Sequence, residues 1–468
     1  MSNPERKHIE QWVELERENI LKDVQQLVRI NSVREYSDTP DYPYGKGIAQ
    51  ALDFMLRRGE ELGFKTENLQ NHCGTISFGS AKESIGLFSH LDVVSVDDHW
   101  LFPPFEAYRT KDFIVGRGAT DNKGPAIAVL YLLKYLSSCG YSPRHQILQY
   151  LGCNEESGMN DIEYYLCQKS APQISVVPDL SFPICYAEKG MLSFRYTIPF
   201  SSNVFTALKG GNAINIVPGE CFAQFADGVS VLVPENENIR LVCQADATKM
   251  TAAGKSSHSA FPENSINAIG ILFSALSRCS SVAPKHQETL GLLASLANDY
   301  TGKVLGIQKN SEELGDLTCV FSLVVLEKES LQCDFNIRYP YGMTEDFLID
   351  KLKKFSRQYG WEMDILEASG ASYFPKAHPA VKIFEKQYEN WTGSKALAYT
   401  TGGGTYARKL PCAFAAGLGM PSYPSKIQQY LASGHGGAHQ PDEVLEIEPF
   451  LQGVKILISS IIELDQKL

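Results

Sequence analysis

The chain has 468 residues, too long for one ordinary hydrophobic core, so two domains are expected. Hydrophobic residues at 44% and charged residues at 21% describe a globular protein in water, and a net charge of -11 argues against a general nucleic-acid binder, though not against a local positive pocket. The 11 cysteines are odd in number and lack any C-x-x-C pair, which points to a reducing compartment rather than a disulfide framework.

The chain opens on a polar, charged stretch without the apolar segment of a signal peptide. No later apolar run is long enough to span a bilayer, so a cytoplasmic protein with no membrane partner is expected. Apolar residues at Ile9, Trp12, Val13, Ile20, Val24, Leu27 and Val28 have helical spacing and predict an amphipathic helix over Ile9–Ile30. A second helix is predicted over Gly47–Leu62, stopped by Gly63. Strands follow at Thr75–Phe78 and Ile85–Phe88, a helix at Pro125–Leu136, a strand at Ile147–Leu151, a helix at Asp161–Cys167 and a strand at Ile174–Val177. From about Glu188 the pattern turns to alternation, as in Leu192–Thr197 and Leu241–Gln244. A helix-like stretch Ser265–Ser277, a hairpin of Leu317–Leu326 with Gln332–Arg338, and a helix Asp346–Tyr359 complete an α+β insert. The first texture resumes near His378 and ends in a helix over about Pro449–Leu464. The division is therefore 1–187 for the first part of an α/β domain, 188–370 for the insert and 371–468 for the second part. The insert is long enough to hold two similar subunits.

Five clusters of metal-ligand residue types punctuate this pattern. They are Ser89-His90-Leu91-Asp92, Asp121 within Gly118–Gly124, Asn154-Glu155-Glu156-Ser157-Gly158, Val177-Pro178-Asp179 and Gly437–Glu443 around His439. Three of them follow directly on a predicted strand, at the sheet edge where open α/β folds place their sites. Two nearby cations need neutral imidazoles, anionic carboxylates, one carboxylate that bridges and one left off the metal to move protons. His90, His439, Asp121, Glu156 and Asp179 supply the ligands, with Asp92 and Glu155 left over.

The joint pattern resembles the aminoacylase, carboxypeptidase G and succinyl-diaminopimelate desuccinylase family of metallopeptidases, over essentially the whole chain, and within it the peptidase V-like dipeptidases. The resemblance implies a zinc-exopeptidase catalytic domain, with helices on both faces of a mixed sheet, interrupted by an α+β lid domain. It implies two zinc ions, for which cobalt or manganese can substitute, bridged by Asp121. His90 and Asp179 would complete one site, Glu156 and His439 the other. Asp92 would fix an imidazole as a carboxylate behind the ligands, and Glu155 would be the general base that later protonates the leaving amine.

The insert adds a further layer by the same resemblance. Gly254–Ala260 is similar to the family's lid motif, with His258 donating to the oxyanion. Arg338, at the end of a predicted strand, is similar to the arginine that grips a substrate carboxylate; many relatives have an aspartate where this chain has Asn336. Asn215 is similar to a polar contact near the oxyanion, though a purely structural turn accounts for it equally well. The run Thr400–Thr405 lacks the lysine and spacing of a Walker loop; its Gly402 and Gly403 are expected to let backbone N–H groups approach a substrate carboxylate.

Blander readings exist for each cluster alone. His-x-Asp after a strand is often a capped loop, Glu155-Glu156 a solvated pair, Asp179 a turn residue, and His435 in Gly434-His435-Gly436-Gly437 rivals His439. The order of all five argues against coincidence. The expected activity is metal-dependent dipeptide hydrolysis, since aspartate at position 179 resembles dipeptidases and aminopeptidases rather than carboxypeptidases and desuccinylases, and the long insert resembles that of monomeric dipeptidases. An N-acyl amino-acid amidohydrolase is the alternative enzyme, and a non-catalytic binding protein the alternative of another class.

Overall fold

A computed structural model describes residues 3–36, 39–96, 99–229, 231, 238–244, 247–423, 425–427, 430–432 and 434–468. The chain divides into two compact units, one made of 1–186, 373–399 and 405–468, the other of 187–372 and 400–404. Among the described residues no helix is long and apolar enough to cross a membrane.

The first unit is built on a mixed sheet. In spatial order its strands include Lys65–Leu69, Cys73–Phe78, Gln146–Gly152, Ser84–His90, Ile174–Val177 and Ala413–Ala415. The first two pairings are antiparallel, and the next three are parallel. The central strands are apolar almost end to end, as strands buried on both faces must be. Alternate residues explain the two covers. Gly74 and Ile76 lie under the helix Lys46–Glu61, where a Cβ on Gly74 would come within 2.8 Å of Leu52, and Gln149 on the same face donates to the Ala126 carbonyl of the helix Lys123–Ser138. On the opposite face Cys73, Phe88 and Tyr150 pack with Ile162 and Tyr165 of the helix Asn160–Gln168 and with Tyr406.

The predicted elements of this unit are present with small extensions. The first helix runs Asn3–Val28, the last Ile447–Lys467, and Gly63 and Gly140 take positive φ of 84° and 67° just past their helices. Short strands at Lys65–Leu69, Tyr108–Arg109 and Phe113–Val115 were not expected: the first two are polar or part-exposed, and the third, though apolar, is only three residues long.

The second unit is one antiparallel sheet of eight strands, ordered Ile239–Gln244, Ala247–Ala253, Glu220–Phe225, Phe205–Gly210, Thr318–Leu326, Ser330–Tyr339, Gly190–Pro199 and Glu362–Ser369. The predicted hairpin is in place, closed by the Glu327 N–H donating to Ser330 O. Helices Ala268–Leu276, Pro284–Ala297 and Glu345–Tyr359 bury their apolar residues in the same core as the sheet. Any twofold division of the insert therefore lies within a single layer and core. The helix expected over Ser265–Ser277 starts only at Ala268, because Asn267 takes an extended conformation and caps it by accepting from the Ile269 N–H.

Candidate metal centre

Strand register brings the clusters of the first unit together. His90 and Gly152 are partners in the parallel pairing, so both strands finish level and the segments Leu91–Asp92 and Cys153–Glu156 emerge side by side. The Leu91 N–H donates to Gly152 O across this edge. The neighbouring strand Ile174–Val177 ends two residues before Asp179.

Asp121 lies at the centre. Its Oδ1 is 3.0 Å from His90 Nε2, and its Oδ2 is 3.1 Å from His439 Nε2. His439 Nε2 is also 3.2 Å from Glu156 Oε2, and His90 Nε2 is 3.8 Å from Asp179 Oδ1. The ligand atoms of His90, Asp121 and Glu156 lie within 4.8 Å of one another, as do those of His90, Glu155 and Asp179. His90 Nδ1 donates to the Asp92 carbonyl at 2.9 Å, which leaves the Nε2 lone pair facing the carboxylates. A lone pair against carboxylate oxygens is repulsive unless a proton or a cation lies between them, so this donor set suits divalent cations.

The charges agree. Burial works to lower the His90 pKa, yet Asp121 and Asp179 carry it well above its ordinary value. Hydrogen bonds to Asp121 and Glu156 raise His439 to about 11. Burial and then the Asp121 charge raise Glu156 to about 7, and the same two causes raise Asp179. Burial raises Glu155 well above the carboxylate range. Carboxylates crowded in this way call for positive charge, and an arrangement that stabilises extra protons stabilises metal ions for the same reason.

The other sequence candidates take definite places. Asp92 holds the backbone of the carboxylate pair, Oδ1 accepting from the Glu155 N–H at 3.1 Å and Oδ2 from the Glu156 N–H at 3.0 Å. Its carboxylate is farther from His90 Nδ1, at 3.5 Å, so the imidazole is oriented by the carbonyl and the carboxylate serves the glutamates. Glu155 Oε1 is buried with no hydrogen-bond partner. His435 does not join the cluster: its Nδ1 is 2.6 Å from Asp442 Oδ2, while Asp442 Oδ1 accepts from the Leu101 and Phe102 N–H groups. His439, at a positive φ of 62°, is turned the other way.

Sequence reasoning missed the groups that hold the ligands in place. Asn122 is fully buried and donates to Pro178 O and to Asp179 Oδ1, while its Oδ1 accepts from the His90 N–H. Glu443, also fully buried, accepts from Arg117 Nη1 and from the N–H groups of Gly118, Thr120 and Asp121 at 2.8–3.0 Å. It arrives there because the strand Val444–Glu446 pairs with Phe113–Val115. Asp161 accepts from the Cys153 and Asn154 N–H groups and from the Tyr406 hydroxyl, fixing the segment before Glu155. Asn122 and Glu443 stand inside the clusters already singled out; Asp161 and Tyr406 carry no local signal. Glu443→Ala should strand the Arg117 guanidinium in a buried site and leave three N–H groups unanswered. Equilibrium unfolding should then show a loss of roughly 3–5 kcal/mol, as for other broken buried pairs; an unchanged denaturation midpoint would contradict this role.

The candidates of the second unit form one network. Asn336 Oδ1 accepts from Ser259 Oγ at 2.7 Å and from Arg338 Nε at 3.1 Å, and Asn336 Nδ2 donates to Ser193 Oγ. The Ser259 N–H donates to the Asn215 carbonyl, so the Asn215 and His258 loops are tied together. His258 is exposed, and its Nδ1 accepts from the Ala260 N–H at 3.1 Å; the ring proton therefore sits on Nε2. Arg338 is buried, and its Nη1 donates to Gly402 O at 3.4 Å. Gly402 allows a close approach, since a Cβ there would lie 2.8 Å from the Ala260 Cβ. The Gly403 N–H donates to Thr401 Oγ1, so it serves the turn of the loop rather than pointing outward as expected.

The model of a family described as Peptidase family M20/M25/M40 matches residues 86–463. The chain is 30% identical to a putative dipeptidase, YtjP, of Bacillus subtilis (strain 168), covering 96% of this chain and 97% of the relative. It is 28% identical to the Beta-Ala-Xaa dipeptidase of Lactobacillus delbrueckii subsp. lactis, over 98% of each. Among solved structures, the fold is similar to human carnosine dipeptidase 1, with a TM-score of 0.60 at 13% identity over 98% of this chain and 100% of that one. It is equally similar to the di-peptidase Dug1p of Saccharomyces cerevisiae, with a TM-score of 0.62 at 12% identity over 99% of each.

Proposed function

Because the chain belongs to peptidase family M20/M25/M40, and is thereby a hydrolase of peptide bonds, we propose that it is a dinuclear zinc dipeptidase acting in the cytoplasm as a monomer. One observation carries the reading: a single carboxylate, Asp121, faces a histidine Nε2 with each of its two oxygens, while the neighbouring Glu155 keeps an unpartnered oxygen. In this assignment Asp121 would be shared between two ions, His90 and Asp179 would complete the site of one, and Glu156 and His439 that of the other. The ions, when bound, supply Lewis-acid polarisation of the scissile carbonyl and acidify the attacking water.

The chain's own groups do the rest. Glu155 takes a proton from the water and returns it to the leaving amine, and its burial keeps that proton from escaping to solvent. Asp92 fixes the base indirectly, through the two backbone N–H groups it accepts. His258, protonated on Nε2, donates to the carbonyl oxygen as negative charge develops there. Arg338 pairs with the substrate's C-terminal carboxylate, and a guanidinium already held by Asn336 loses little freedom in doing so. A substrate as small as a dipeptide depends on that charge for much of its binding.

The two lid residues should separate kinetically. Arg338→Ala should mainly raise KM for substrates with a free carboxylate, and His258→Ala should mainly lower kcat. Steady-state kinetics on a dipeptide and on its C-terminal amide read the difference; equal weakening of both substrates in Arg338→Ala would refute the carboxylate role. The dipeptidase reading itself is tested by metal analysis together with a panel of plain dipeptides and their N-acetylated forms. Turnover of the acetylated forms alone would favour an N-acyl amino-acid amidohydrolase.

A further inference from the structure

We infer that a cavity beside the candidate ligands, wholly within the first unit, is a side-chain subsite that selects dipeptides whose first residue is large and apolar. The inference rests on the dipeptidase reading and names its substrate class. The cavity has a volume of about 450 Å³, within the roughly 300–1,000 Å³ range of small-molecule sites. Asp121 and Asp179 form part of its wall, so it adjoins the place where the scissile carbonyl must sit. Leu180, Leu418, Met420, Leu445 and Phe450 supply its apolar surface.

These side chains are held by the fold. Leu180 directly follows Asp179 and pairs with Leu418 in a short parallel ladder. Leu418 rests on Gly453 of the last helix, where a Cβ would lie 2.9 Å from its Cδ2. Leu445 rests on Gly124 in the same way, at 2.7 Å. Phe450 is nearly buried in the first turn of the last helix. A wall fixed in this way is formed before substrate arrives and costs little ordering on binding.

Two polar side chains of the wall already have partners. Thr120 Oγ1 donates to Glu443, and Glu446 Oε1 accepts from Ser425 Oγ and from the Lys426 N–H. No Lys, Arg or His is among the described lining residues. The described side chains of the wall therefore offer apolar contact and no basic group for an acidic side chain. Arg338, in the other unit, is assigned to the carboxylate of the second residue, so a wall that grows from the candidate ligands themselves serves the first.

The test is kcat/KM of the zinc-loaded full chain on Leu-Ala, Phe-Ala, Gly-Ala and Asp-Ala. Leu-Ala and Phe-Ala should exceed Gly-Ala roughly 10- to 100-fold, the value of burying one such side chain, and Asp-Ala should be the poorest. Met420→Trp, which fills the cavity, should bring the Leu-Ala to Gly-Ala ratio toward one. Phe450→Ala, which enlarges it, should favour Phe-Ala over Leu-Ala, and thermal melts check that both variants fold. Dipeptide cleavage with a native ratio near one, or a ratio unmoved in both variants, overturns the subsite. Failure to cleave any dipeptide, with turnover of N-acyl amino acids, overturns the dipeptidase reading instead and this inference with it.

Discussion

Glu155→Gln should lower kcat by roughly 10²- to 10⁴-fold, the share a positioned general base contributes, while the protein keeps its metal content and its fold. The expectation follows from position. Glu155 adjoins the candidate ligand Glu156, yet its Oε1 is buried and unpartnered, and its backbone N–H is held by Asp92. Burial raises its pKa above the usual carboxylate range. Glutamine preserves size and the Asp92 contact but cannot carry the proton. The measurement is steady-state kcat beside metal stoichiometry. A near-wild-type rate would remove Glu155 from the mechanism, and a parallel loss of metal would make it a ligand rather than a base.

Removal of metal by a chelator should abolish activity entirely, with zinc, cobalt or manganese restoring it. Asp92, Asp121, Glu155, Glu156 and Asp179 bring five carboxylates to one buried sheet edge against two imidazoles. Bound cations would offset the repulsion within that excess. Bound ions should also stabilise the fold, since only the folded chain offers the site. Chelation should therefore lower the Tm as well as the rate, and Asp121→Asn should weaken both ions at once because each carboxylate oxygen faces a different histidine. Full activity in metal-free protein would sink the proposal, and so would an Asp121→Asn variant that loses one ion and keeps the other at native affinity.

Much of this molecule was legible in the order of its residues, because the physics that set it is local. Apolar runs as short as Ile147–Leu151 and Ile174–Val177 read as buried strands, and the polar residues that follow them then emerge at one sheet edge. Helical spacing and terminal glycines placed the long helices to within a few residues. The same logic sets His90, Glu156 and Asp179 near one another from sequence alone, and a motif match favours His439 over His435. Tertiary structure decided what depends on partners far along the chain. Glu443 reaches the Asp121 loop from 322 residues away, and Tyr406 reaches Asp161 from 245 residues away. Neither contact has a periodicity or spacing to reveal it. The choice of the Asp92 carboxylate between an imidazole and two backbone N–H groups turned on register, since only strands that end level bring Glu155 and Glu156 to it. The strands Phe205–Gly210, Glu220–Phe225 and Ala247–Ala253 likewise took their state from their neighbours in the sheet, because β structure is stabilised by cross-strand contacts that a single segment does not contain.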